Sequence, residues 1–165
     1  MIVQGPYNVL FVCTGNATRS IMAEAILAEK GAPNFVAYSA GTHPLGYLHP
    51  KALRQIERAG LSADSLWSKS WKEFAKRGAP QMDFVFTVCD SAAKEAFPVW
   101  PGEPMTAHWG VPDPGYTIGT LERVERAFRE TFLTLERRIN RFISLPLAIL
   151  EKTQIQKEID CIGRG

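Results

Sequence analysis

The chain has 165 residues, 45% of them hydrophobic, which is enough for one domain with its own core. Its 19 basic and 17 acidic residues leave a formal charge of +2, so composition points to neither a nucleic acid nor an acidic membrane as partner. The apolar runs are too short to span a bilayer, and the N-terminus lacks the basic start and long apolar stretch of a signal peptide, so a cytoplasmic protein is expected.

Three widely spaced cysteines form neither a disulfide framework nor a zinc ligand set, and reduced thiols with no bound metal are expected. After Asn8, the apolar run Val9-Leu10-Phe11-Val12 predicts a buried strand that ends at Cys13. Gly15 and Asn16 tolerate positive φ, so the backbone from Cys13 to Ser20 can curl and turn several amides toward one point. A helix is predicted from about Ser20, and such amides ahead of a helix make an anion cradle. Thr14, Gly15, Asn16, Ala17 and Thr18 form its loop. Cys13 is the candidate nucleophile, and the amides and Arg19 are expected to depress its pKa well below that of a free thiol. Arg19 can grip two oxygens of a tetrahedral oxyanion, and Ser20 offers a hydroxyl to the sulfur.

Met22, Ala25, Ile26 and Glu29 follow at helical spacing until Gly31-Ala32-Pro33. Phe35 to Ala40 predicts a second strand, closed by Gly41. Leu45 to His49 reads as a loop, and Pro50 opens a second helix with Leu53 and Ile56 inward and Gly60 as its stop. A short helix is predicted around Trp71 and Phe74. Phe84 to Cys89 lacks alternation, as a strand covered on both faces does, and Asp90 or Ser91 caps a short helix after it. Met105 to Trp109 predicts a fourth strand before the turn-rich Gly110 to Gly115.

Strands alternating with helices imply an α/β fold, a small four-stranded parallel sheet flanked by helices. The site of such a sheet lies outside the carboxyl ends of its strands, where Cys13, Cys89 and Asp113 all fall. From Thr120, Leu121, Val124, Phe128, Phe132, Leu135, Ile139 and Phe142 step along one face of a long helix that Pro146 ends. Ile155, Ile159 and Ile162 predict an extra C-terminal helix, docked on the domain or on a second subunit. One domain over 1–145 with a helical extension over 146–165 is therefore expected.

The run from Val12 to Ser20, Val-Cys-Thr-Gly-Asn-Ala-Thr-Arg-Ser, followed by Met22-Ala23-Glu24-Ala25, resembles the signature of low-molecular-weight tyrosine phosphatases and of the arsenate reductases built on the same fold. The resemblance covers roughly residues 8 to 145 and implies that fold. It implies that Asp113, in Pro112-Asp113-Pro114, is the general acid, although by residue type alone it reads as a turn-forming aspartate. Cys89 stands where the reductases carry a second redox cysteine; by residue type alone it is a buried strand-end thiol. Pro98-Val99-Trp100-Pro101 and the run from Ala107 to Pro114 resemble the reductases, with His108 and Trp109 either on the substrate loop or plain packing residues. The phosphatases follow Asp-Pro with aromatic residues, whereas here Gly115 intervenes and only Tyr116 is aromatic.

The resemblance therefore implies thiol-dependent reduction of arsenate to arsenite, in which Cys13 attacks the oxyanion and then forms a disulfide with Cys89. Hydrolysis of phosphotyrosine through a phosphocysteine is the alternative, and a non-catalytic oxyanion-binding module the third reading. Thioredoxin-coupled reductases carry a further cysteine where this chain has Ala96-Phe97, and Cys161 matches no motif. With no bound cofactor, an external thiol reductant is implied, glutathione with glutaredoxin in preference to a relay to thioredoxin. Some of those reductases bind potassium through an Asn, a Glu, a Ser and an Asp. Asn16, Glu24 and Ser39 match the first three and Lys69 stands near the place of the last, which implies an ammonium in the ion's place and no potassium dependence. The oligomeric state stays open.

Overall fold

The computed structural model describes residues 6–94, 100 and 102–165. The readings attached to Ala96, Phe97, Pro98, Val99 and Pro101 lie outside the described residues.

Four strands, β1 (Tyr7–Cys13), β2 (Phe35–Gly41), β3 (Phe84–Thr87) and β4 (Met105–His108), form one parallel sheet in the order β2-β1-β3-β4. Val9, Leu10, Phe11 and Val12 have no exposed surface. Successive side chains of a strand point to opposite faces, so both faces of β1 are covered, and the unbroken apolar run follows from that. Helices α1 (Arg19–Lys30), α2 (Pro50–Arg58), α3 (Asp90–Lys94), α4 (Leu121–Ile143) and α5 (Lys152–Arg164) complete the architecture, with a 3₁₀ turn at Trp71–Phe74. Among the described residues no helix is long and apolar enough to cross a membrane.

Several boundaries differ from the sequence expectation. Helix α1 begins at Arg19, one residue early, and β3 and β4 stop at Thr87 and His108, so Cys89 and Trp109 stand beyond their strands. Ladder bonds do continue one step further, from the Val88 amide to the Val12 carbonyl at 2.9 Å and from the Trp109 amide to the Thr87 carbonyl at 2.7 Å. The chain then turns, because the Cys89 carbonyl accepts from the Ala93 amide in the first turn of α3.

Helix α4 buries Phe128, Phe132, Leu135, Ile139 and Phe142, while Leu121 at the start of the same stripe remains exposed. The Thr120 hydroxyl caps it by accepting from the Arg123 amide. Helix α5 docks on the domain itself: Ile155, Ile159 and Ile162 are buried, and the Gln156 amide donates to the Thr106 carbonyl of β4. Gly163 lies so close to this strand end that a Cβ there would stand 2.2 Å from the His108 carbonyl oxygen, so only glycine permits the approach.

Candidate active site

The cradle follows from where the loop's carbonyls go. The carbonyls of Cys13, Thr14, Gly15 and Ala17 accept from the amides of Thr42, His43, Leu45 and His49, and that of Thr18 from Met22. In a trans peptide the N–H points opposite to the C=O, so the amides of Thr14, Gly15, Asn16, Thr18 and Arg19 face the other side, the concave one. The segment from Thr42 to His49 thus acts as an outer belt, a role that residue types in a loop do not reveal. Close fit is visible at Gly41, where a Cβ would stand 2.6 Å from the Thr14 carbonyl oxygen. Of the two residues expected to supply positive φ, only Asn16 does so, at φ 46. Gly15 instead meets Leu45, whose Cγ would lie 3.1 Å from an added Cβ.

Asn16 is fully buried and acts as the loop's internal strut. Its Nδ2 donates to the hydroxyls of Ser20 at 2.8 Å and Ser39 at 3.0 Å, and its Oδ1 accepts from the Lys69 amide at 2.9 Å. Ser39 donates to Glu24, and the Lys69 ammonium donates to the Ser39 carbonyl at 3.0 Å while lying 3.8 Å from Glu24 Oε1. Burial pulls Lys69 down and pushes Glu24 up, each opposed by the charge of the other. The three residues matched to a cation site and Lys69 therefore converge, with an ammonium among them.

Cys13 ends β1 with only 3% of its surface exposed, its sulfur 2.9 Å from Ser20 Oγ. Burial pushes its thiol up; the Ser20 hydroxyl and amide oppose this, Cys89 adds to it, and Arg19 lowers it least of all. The expected depressed thiol pKa is thus corrected. The physical reason is that desolvation outweighs the donors while the guanidinium of Arg19 is occupied elsewhere. Its NH1 donates to the Val111 carbonyl at 3.0 Å and its NH2 reaches Asp113 Oδ2 at 3.4 Å. Its buried Nε has no partner among the described residues, a donor available to an oxyanion. The other Asp113 oxygen accepts from the Gly115 amide at 2.8 Å.

Cys89 is 2% exposed and lies 3.3 Å from the Thr14 hydroxyl, and its sulfur accepts from the Ala92 amide. A cleft of about 660 Å³ opens here, walled by Thr14, Arg19, Cys89, Asp113 and Tyr116. Tyr116 stands 86% exposed at its rim. Two residues assigned to the substrate loop do not line it. Trp109 is wholly buried, stacked on Phe86 with ring centroids 3.9 Å apart, and its indole N–H is held by the Ile159 carbonyl. His108 turns to Thr87 and Asp90, each 2.8 Å away. Both belong to the frame of the site, because the apolar indole fits the core and the polar imidazole the strand end.

Sequence reasoning missed Arg138. Buried in α4, it donates to the carbonyls of Trp109 at 2.8 Å and Gly110 at 3.1 Å, and so pins the root of the Asp113 loop. An arginine three residues after Leu135 and four before Phe142, on an otherwise apolar stripe, was the available signal. Cys161 is exposed on α5, and among the described residues no three His, Cys, Asp or Glu side chains converge as metal ligands.

A thiol at the end of a central parallel strand, an inward-facing row of amides and an arginine at the next helix define a class of α/β protein built to present cysteine to a tetrahedral oxyanion. Within that class, the chain belongs to the low molecular weight phosphotyrosine protein phosphatase family, whose pattern matches residues 8–159. It is 32% identical over 135 residues to an arsenate reductase of Bacillus licheniformis, covering 82% of this chain and 94% of that protein. The arsenate reductase of Archaeoglobus fulgidus superposes with a TM-score of 0.67 at 24% identity, over 83% of this chain and 99% of the other. The tyrosine phosphatase Wzb from Escherichia coli K30, solved in complex with sulphate, gives a TM-score of 0.64 at 25% identity, over 82% and 95%.

Proposed function

We propose that the protein reduces arsenate to arsenite with two of its own thiols. The observation that carries this reading is the placement of a second buried thiol, Cys89, beside the cradle, its sulfur 3.3 Å from the hydroxyl of the loop residue Thr14. Hydrolysis of a phosphomonoester has no need of it.

In the first step arsenate binds to the inward amides and Arg19. Cys13 passes its proton to an oxygen of the bound arsenate and attacks arsenic, a sulfur–arsenic bond forms, and one arsenic–oxygen bond breaks, its hydroxyl leaving as water with a proton delivered by Asp113. The elevated thiol pKa makes proton loss part of this step. In the second step the Cys89 thiolate attacks the Cys13 sulfur. The sulfur–arsenic bond breaks, its electron pair stays on arsenic, and arsenic(V) becomes arsenic(III) as two thiols become one disulfide. That bond requires the two Cα atoms to lie within about 4.4–6.8 Å. Two electrons from an external thiol then restore the site. Glutathione with glutaredoxin fits better than a relay to thioredoxin through a third cysteine, since Cys161 does not line the cleft.

One equivalent of arsenate added to the reduced protein should consume two thiols, link Cys13 to Cys89 and release arsenite, as read by thiol count, peptide mass mapping and arsenic speciation. Cys89→Ser should stop arsenite release. Survival of all thiols would overturn the reading. Phosphotyrosine hydrolysis is the second reading, favoured by a cleft larger than a bare oxyanion needs and by the exposed ring of Tyr116 at its rim. Under it, Cys89→Ser would leave turnover of an aryl phosphate intact.

A further inference from the structure

Arg138 is a buried cation that pairs with no acidic side chain among the described residues. It stands on the apolar stripe of α4 with 7% of its surface exposed, and its hydrogen bonds there go to backbone oxygens alone. NH1 donates to the carbonyls of Trp109 at 2.8 Å and Gly110 at 3.1 Å, and NH2 to the backbone oxygen of Gly165 at 3.3 Å. Its buried Nε finds no acceptor among those residues. Burial of a charge without a carboxylate is costly, and an unbranched apolar side chain would suit the stripe better. Packing therefore does not explain the arginine; the chain it holds does.

That chain is the root of the Asp113 loop. The amides of Trp109 and Val111 donate to the carbonyls of Thr87 and Val88 at 2.7 and 3.1 Å, so the root is keyed to the end of β3 by its amides and to α4 by its carbonyls. Pro112 has no amide to donate, and the Asp113 carboxylate beyond it meets Arg19 and the Gly115 amide. Asp113 and Arg138 wall one cavity of about 300 Å³ between this loop and α4. Helix α5 grips the same root. The Trp109 indole donates to the Ile159 carbonyl at 2.9 Å, Gly163 passes against the His108 carbonyl where no side chain fits, and Gly165 takes the far side of the Arg138 guanidinium.

We propose that Arg138 and the last turns of α5 form a clamp that sets the position of Asp113 beside Arg19, which makes the C-terminal helix part of the catalytic frame. The inference rests on the reading of Asp113 as general acid. Arg138 is a positioning residue: it does not line the oxyanion cleft and acts through the backbone of residues 109–111.

The test is a double-mutant cycle on the transfer step, read as the single-turnover rate of thiol loss after one equivalent of arsenate. Arg138→Met should slow this step about tenfold when Asp113 is present, a part of the acid's contribution. In Asp113→Asn it should slow the step by less than about twofold, because no acid is left to misplace. A role confined to structure would slow both alike. Gly163→Ala, which pushes α5 off the end of β4 and leaves Arg138 in place, should slow the step by a few-fold with the same dependence on Asp113. The Val111 amide should exchange with solvent about tenfold faster in Arg138→Met. Stability to denaturant should hold in that variant, since an apolar side chain replaces a buried charge, and a slower rate is then not a loss of fold. Equal slowing in both backgrounds, or none in either, overturns the proposal, and a wild-type rate in Gly163→Ala removes α5 from it. Asp113→Asn as fast as wild type overturns the acid reading instead, and wild-type protein that consumes no thiol overturns the reductase reading. In either of those cases unchanged Val111 exchange in Arg138→Met overturns the clamp, and faster exchange upholds it.

Discussion

On one side of Cys13 lies a closed set of buried polar groups, Asn16, Ser20, Ser39, Glu24 and Lys69, each hydrogen-bonded to another member. On the other side lie Cys89, the short helix α3 and the Asp113 loop, where Asp90, Ser91 and Tyr116 face solvent and single polar contacts do most of the holding. The difference teaches how one thiol can serve two steps. A nucleophile gains from a scaffold that cannot relax, because low-dielectric polar networks hold their geometry and are costly to open. In the proposed reduction the partner thiol and the acid act in turn, and elements held by few contacts open at low free energy.

The buried side is broken most severely by Glu24→Ala, which leaves the Lys69 ammonium buried and unpaired. The expected loss is about 3–5 kcal/mol of unfolding free energy. Denaturant titration measures it, and the paired change to Glu24→Leu with Lys69→Met should recover most of the loss. A deficit below about 1 kcal/mol would mean that the cluster is not the rigid half of the site. On the mobile side, Asp113→Asn should slow the transfer step by about a hundredfold, since the proposed general acid is lost. It should also tighten binding of inorganic phosphate, because Arg19 is released from its ion pair. Single-turnover rates and phosphate inhibition separate the two effects, and unchanged phosphate affinity would show that the ion pair does not compete with the oxyanion.

The smallest effect sharpens the comparison at Cys13 itself. Burial raises its pKa in the folded protein, so the folded state keeps this proton to higher pH than the unfolded chain does. The resulting stability is fully present below the ordinary thiol pKa of about 8.5 and is lost as pH rises through the folded value. Alkylation of Cys13 should accordingly have its midpoint above that of the same thiol in the unfolded chain. Ser20→Ala, which removes the strongest opposing donor, should move that midpoint further up and slow alkylation at neutral pH by a few-fold. A wild-type midpoint below pH 7 would return Cys13 to the depressed range that its motif suggests.

Several parts of the fold and site were legible in residue order because they depend on neighbours a few positions away. The unbroken run Val9 to Val12 reads as a strand covered on both faces, Asn16 as one of two positive-φ candidates in the loop, and the stripe from Phe128 to Phe142 as one face of α4. The motif likewise set Ser20 beside Cys13, its hydroxyl 2.9 Å from the sulfur. Other features required the sheet order β2-β1-β3-β4, which brings distant segments together. The Lys69 amide meets Asn16 across 53 positions, and Arg138 meets Trp109 across 29. The Thr42–His49 belt takes the loop carbonyls, His108 is held by Thr87 and Asp90, and α5 closes on Trp109. The protonation of Cys13 belongs with these: residue types near the thiol suggest a depressed pKa, but the depth of burial is a property of the whole fold, and desolvation decides the direction.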